Sequence, residues 1–302
     1  MATRDLAVGV IFLVQTLVGI LGNFYLLYHY LFFSLTGSRL RSTDPILKHM
    51  TVANLLVILS KGIPQTMAAL GLKDFLGALG CKLVFCAHKV GRGVSMGTTC
   101  LLSVFQAVTI SPRGSWWAGL KDKAPRYLGT TSILCWFLNM SLNLIVPVFV
   151  TERSGGTNVT RTRDYGYCHA VTHYKIIETP YLILASSHDV LCVGLMVWAS
   201  GSMVCTLHRH RQRVRHLHRS SVGDPRHPPE TRATQSILVL VSTFALLCTL
   251  SVAFQTCMTI SKNPSTWLVV TSVLLAACFP TASPYILMRH DSRVLGLCFP
   301  RK

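Results

Sequence analysis

Long stretches poor in Asp, Glu, Lys and Arg alternate along this chain with short basic connections. Leu6 to Phe33 contains none of the four, and further apolar runs occupy Ile46 to Leu70, Leu83 to Ile110, Tyr127 to Val150, Tyr181 to Leu207, Ser236 to Ile260 and Trp267 to Met288. Each is near or above the roughly 20 residues a helix needs to cross about 30 Å of hydrocarbon. Lipid offers unpaired backbone groups no partner, and the alternating pattern of membrane β-barrel strands is absent. The pattern therefore predicts an all-α membrane protein, a seven-transmembrane-helix bundle forming one domain over residues 1–302. The first run is too long for a signal-peptide core of about 7–15 residues, so it reads as an uncleaved span.

Sorting the connections onto alternating sides places eighteen Lys and Arg on the side of the first, third and fifth connections and the tail, against eight on the other. Positive residues mark the cytoplasmic side, so the expected orientation has the amino terminus extracellular and the carboxyl terminus cytoplasmic. Residues 151–179 become an extracellular loop, 208–235 a basic cytoplasmic loop and 289–302 a short cytoplasmic tail. Two features agree with this direction. The sequon Asn158-Val159-Thr160 lies in the 151–179 segment, where glycosylation is chemically accessible. Cys81 and Cys168 fall on that same side, where they are either a disulfide tying the loop across the bundle mouth or two unrelated thiols.

Composition narrows the function classes. Only 13% of residues are charged, where soluble domains carry about 25%. The net charge of +18 is scattered over short loops, with no polar soluble domain to carry a nucleic-acid surface, so no nucleic-acid partner is expected. Its role is topological, with attraction to anionic membrane lipid added. The histidines of the His208 to Gln212 tract alternate with arginines that repel cations, so no metal and no other cofactor is expected. HExxH and paired intramembrane aspartates are absent, so an enzyme is not expected. A transporter is the rival of a different class, but no internal repeat is visible, and Asp189 stands alone as a mid-span acid.

Ionisable residues inside the spans carry the local chemistry, because a charge at a helix centre costs about 2.5–3.5 kcal/mol and needs a partner or a wet cavity. Here they are Lys61, Lys89, Arg92 and Asp189. His88, Lys89 and Arg92 share one face of the third helix by their three- and four-residue spacings, and His188 adjoins Asp189 in the fifth. Pro64 is expected to open the second helix next to Lys61. One reading is a polar pocket floor, built from Lys61, His88, Lys89, Arg92, His188 and Asp189, that receives a sulfate, carboxylate or carbonyl on a mostly apolar ligand. The other is a structural ion pair of Asp189 with Arg92 or Lys89. Gly91, Gly93 and Gly97 read as close-approach positions.

Gly22-Asn23, Val52-Ala53-Asn54-Leu55-Leu56, Trp136 and Ser283-Pro284 resemble the landmarks of rhodopsin-like G-protein-coupled receptors. Asn54 replaces an acidic sodium ligand, Phe105-Gln106-Ala107 replaces Asp-Arg-Tyr, and the sixth helix has no proline. That pattern, with Gly80-Cys81-Lys82-Leu83-Val84-Phe85, Val90-Gly91-Arg92-Gly93-Val94-Ser95 and Arg232-Ala233-Thr234-Gln235-Ser236, is similar to the vomeronasal type-1 receptors. Bitter-taste-like receptors share the lost third-helix landmarks but not these strings. The resemblance implies a multi-pass chemosensory receptor of the plasma membrane, a small pheromone-like ligand and coupling to an inhibitory-type heterotrimeric G protein. It also implies an Asn23–Asn54 contact between the first two helices, and a G-protein-facing surface including Gln106, Arg113, Arg209, Arg211 and Arg213. Cys298 is a candidate lipidation site.

Overall fold

The computed structural model describes residues 3–36, 41–72, 75–111, 118–121, 123–145, 161–164, 167–172, 175–218, 229–261 and 265–290. Long helices dominate: α1 (Thr3–Leu35), α2 (Asp44–Val57), continued through a π-helical turn (Ile58–Gly62) into α3 (Ile63–Ala69), and α4 (Ala78–Ile110). A short α5 (Ala118–Lys121) precedes α6 (Ala124–Asn143), and α7 (Lys175–His218), α8 (Pro229–Ile260) and α9 (Thr266–His290) complete the chain order. Among the described residues, five stretches are long and apolar enough to cross a membrane: Leu6–Leu35, Asp44–Ala69, Ala78–Ile110, Pro180–Arg209 and Trp267–Arg289. The Ser242–Met258 part of α8 is a shorter apolar helix. Helix α6 also falls outside the five, its apolar run being broken by Thr130, Thr131, Ser132, Asn139 and Asn143.

Several expected boundaries shift. The run to Val150 stops being helical at Asn143, and residues 146–160, with the sequon at Asn158, lie outside the described residues. The segment expected as a plain loop carries an antiparallel hairpin, β1 (Arg161–Asp164) with β2 (His169–Thr172), so the chain is not purely helical. Helix α7 runs past Leu207 to His218, and α8 begins at Pro229. Hydropathy marks only the apolar part of a helix, and polar turns continue beyond it because each satisfies its own backbone bonds.

Helix α4 is the hub, touching α2, α6, α7 and α8. Glycines set how closely it is approached. A Cβ at Gly91 would meet the Ala53 carbonyl oxygen, Leu56 Cβ and Val57 Cγ2 of α2, each at 3.2 Å, and one at Gly97 would meet Cys135 Sγ of α6 at 2.5 Å. In lipid, where burial gives little drive for helix association, such close packing holds a bundle together. Gly91→Leu is expected to force α2 from α4 and cost about 1–3 kcal/mol. Gly129→Leu, facing open space, is expected to be neutral. Thermal unfolding midpoints of the purified variants compare the two.

Prolines decide where helices join. Pro64 has no N–H for the carbonyl four residues back, and the chain widens into the π turn just before it. Pro284 likewise leaves the Pro280 carbonyl without its helical donor, and Asn23 Nδ2 of α1 supplies one at 2.9 Å. Asn23 therefore reaches α9, not Asn54. Asn54 of α2 instead donates to Ser283 Oγ of α9 at 2.9 Å and accepts from Ser95 Oγ of α4 at 2.5 Å. This corrects the expected Asn23–Asn54 contact: both amides are drawn to polar groups near the proline-broken part of α9. Phe244 of α8 and Phe279 of α9 meet edge to face, their centroids 4.8 Å apart, in the main apolar cluster.

Candidate ligand-binding cavity and the cation cluster around Arg92

A disulfide joins Cys81, in the first turn of α4, to Cys168, immediately before β2, with the Cα atoms 5.9 Å apart. Next to it Tyr167 is buried and stacks on Phe85, with centroids 6.2 Å apart. Tyr181 of α7 packs against this group and donates its hydroxyl to Asn143 Oδ1 of α6 at 2.8 Å. The bridge thus anchors the hairpin, and Tyr181 links the hairpin's base to the wall of a cavity.

That first cavity lies between α4, α6 and α7, lined by Lys89, Arg92, Gly93, Asn139, Asn143, Tyr181, Leu184, Ala185, His188 and Asp189 among others. It holds about 40 Å³, room for roughly three waters. Arg92 crosses it: one guanidinium nitrogen donates to Asp189 Oδ2 at 2.8 Å, with both side chains mostly shielded. The other terminal nitrogen is buried and has no hydrogen-bond partner among the described residues. On the far side of Asp189, His188 Nδ1 stands 3.6 Å from the carboxylate, and its Nε2 is 3.8 Å from Cys192 Sγ.

Lys61, Lys89 and Arg92 are near enough for mutual repulsion, and buried His88 sits within the field of all three. Asp189 is the carboxylate that pairs with Arg92 here. Lys61 does not enter the first cavity. The π turn places it in a separate small space between α1, α2 and α9, with Phe12, Gln15, Thr16 and Val273. His88 lines none of these cavities, and its Nδ1 is buried without a hydrogen-bond partner among the described residues.

Of the residues expected to face a G protein, Gln106 is half-buried near the other end of α4, with its Oε1 buried and unpartnered among the described residues. Arg209 is exposed on α7, and Arg211 and Arg213 continue the same helix. Arg113, like Cys298, lies outside the described residues. Sequence reasoning missed Asn139, Asn143 and Tyr181 as cavity-lining residues. A signal for the first two was present: two amides spaced four apart in an otherwise apolar helix share one face and rarely point into lipid. Among the described residues no group of three or more His, Cys, Asp or Glu is arranged to hold a metal ion.

A model of the vomeronasal organ pheromone receptor family matches residues 6–300. The chain belongs to the vomeronasal type-1 receptor family. It is 56% identical over 302 residues to "Vomeronasal type-1 receptor 4" of Homo sapiens, covering all of both chains. It is 52% identical over 295 residues to "Vomeronasal type-1 receptor 3" of Homo sapiens, covering 97% of this chain and 94% of that protein. A more distant relative, "Olfactory receptor class A-like protein 1" of Danio rerio, is 33% identical over 288 residues, covering 95% and 90% respectively. In this vomeronasal-type chain, then, the disulfide, the cation cluster and the first cavity occupy one end of the bundle.

Proposed function

We propose that this chain is a chemosensory receptor of the plasma membrane that binds a small, pheromone-like, anionic or acceptor-bearing molecule and signals through an inhibitory-type heterotrimeric G protein. It is a binding and signalling protein and not an enzyme. It crosses the bilayer seven times as one receptor domain, α6 and α8 completing the five more apolar spans. The amino terminus and the 151–179 segment, with Asn158 glycosylated and the Cys81–Cys168 bridge, face outward. The basic 208–235 segment and the 289–302 tail face the cytoplasm and meet the G protein, together with Gln106, Arg113, Arg209, Arg211 and Arg213. Family membership supports the receptor class, and the unequal count of Lys and Arg on the two sides supports the direction.

One observation carries the ligand chemistry: Arg92, on the wall of the first cavity, spends one terminal nitrogen on Asp189 and keeps the other buried without a hydrogen-bond partner among the described residues. An acceptor entering the first cavity meets that guanidinium nitrogen, in a setting where a charge-assisted hydrogen bond is strong. Lys89 and Arg92 receive the acceptor, Lys61 adds positive field from the adjoining space, and His188 and Asp189 hold Arg92 in place. The cavity is too small for such a ligand as it stands, so binding selects a widened form.

The test is a cAMP response in cells expressing the full chain, challenged with paired sulfate, carboxylate and uncharged versions of small apolar molecules. The expected result is a response to the anionic members that disappears when inhibitory-type G proteins are blocked. Lys89→Gln is expected to weaken it about tenfold or more at unchanged surface level. Equal responses to charged and uncharged members would overturn the ligand reading. A response that survives the block would overturn the coupling.

A further inference from the structure

A second cavity lies one turn further along α4 than the first. Val57, Arg92, Ser95, Met96, Cys248, Ser251, Ala276, Phe279 and Pro280 line it, so it is bounded by α2, α4, α8 and α9. Arg92 belongs to both cavities, and Lys89 and Gly93 on one side give way to Ser95 and Met96 on the other. The two spaces differ in chemistry. Around the first stand Lys89, Asn139, Asn143, Tyr181, His188 and Asp189. Around the second, apart from Arg92 itself, none of the described residues carries a charge. The hydroxyl of Ser95 is committed to Asn54, and the remainder is thioether, thiol, aromatic and aliphatic surface with Ser251.

We infer that Arg92 is the partition between an acceptor-binding compartment and an apolar compartment, so that the preferred ligand is an amphiphile carrying its anion at one end of an apolar body that extends past Arg92 toward Phe279. This rests on the ligand reading above and deepens it. An anion on the free guanidinium nitrogen sits at the boundary, and an apolar tail leaving it away from Asp189 enters the space where no other described residue is charged. The compartment holds about 30 Å³, room for roughly two waters, so the tail widens it by displacing its walls. Of those walls, Phe279 couples to Phe244 of α8, and Ser95 couples through Asn54 to Ser283 of α9. A tail seated there touches both interhelical links.

The probes are n-alkyl sulfates from butyl to octyl, tested on the full-length receptor by signalling in cells and by thermal stabilisation of the purified protein. Each methylene entering the second compartment is expected to raise affinity about fourfold, the ratio corresponding to the burial of one CH₂. Ser251→Leu and Ala276→Leu fill that compartment from α8 and α9. They are expected to flatten the rise with chain length, weakening octyl sulfate far more than butyl sulfate. Ala185→Leu, filling the first cavity, is expected to weaken all lengths alike. A flat series in the unaltered receptor, or an undiminished rise in both filled variants at normal surface level, would overturn the two-compartment inference. Length-dependent stabilisation without signalling would uphold the compartments and overturn the coupling proposal. No stabilisation by any sulfate would overturn both.

Discussion

Arg92→Leu is expected to remove about 3–5 kcal/mol of folded stability and most of the receptor from the cell surface, because it leaves the Asp189 carboxylate shielded from water without the partner that now lies 2.8 Å away. Asp189→Leu should also be damaging, since it strands a guanidinium whose second nitrogen already lacks a partner among the described residues. The two losses are not equal. His188, at 3.6 Å from Asp189, remains beside the carboxylate when Arg92 is gone, and that proximity softens the first loss but not the second. The Arg92→Leu/Asp189→Leu double variant is expected to recover most of the stability, because removing a buried pair together leaves no uncompensated charge. Surface level and the thermal midpoint of the purified protein read out all three. If each single variant matches the unaltered protein, the pair contributes no stability. A double variant that folds but ignores anionic ligands would separate Arg92's recognition role from its structural one.

Cys81→Ser is the second large effect. The bridge closes a loop between positions 87 residues apart, for which chain-entropy arguments give roughly 4–5 kcal/mol and measured losses of native bridges run about 2–5. Residues of that loop that sit in helices within the bilayer are already constrained, so the lower part of the range is expected. The structural consequence reaches the cavity. Without the bridge, Tyr167 is no longer held over Phe85, and Tyr181, which packs on that cluster, loses one support of its bond to Asn143. Cys168→Ser should match Cys81→Ser, and the double variant should be no worse than either, since all three remove one bond. Additive losses would mean that each cysteine contributes separately through packing. Adding a reductant to the unaltered receptor should lower its thermal midpoint and leave that of the variants unmoved.

Much of the helical framework was readable one residue at a time. An apolar run of sufficient length has few alternatives in lipid, so Leu6–Leu35, Asp44–Ala69, Ala78–Ile110, Pro180–Arg209 and Trp267–Arg289 were legible from composition alone. Helix ends were less so. The hairpin of residues 161–164 and 169–172 and the long polar extension of α7 leave no trace in hydropathy, because backbone hydrogen bonds, not apolar side chains, hold them. Pro284 could have pointed to Asn23's true partner, since a proline always leaves a carbonyl without its donor four residues earlier.

By itself, the sequence determined where the chain is apolar, which side of the spans is basic, and that Lys89 and Arg92 lie on one face of one helix near a single mid-span acid. Spacing along one helix could not choose which of the two meets Asp189, because residues three apart present nearly the same direction to a neighbour whose height and rotation are not encoded locally. The choice of Arg92 depends on how α7 is seated against α4, which follows from packing along their whole length. The partition of the interior into two compartments is likewise a tertiary property. It arises where α2, α4, α8 and α9 enclose one space and α4, α6 and α7 enclose the other, with one guanidinium shared between them.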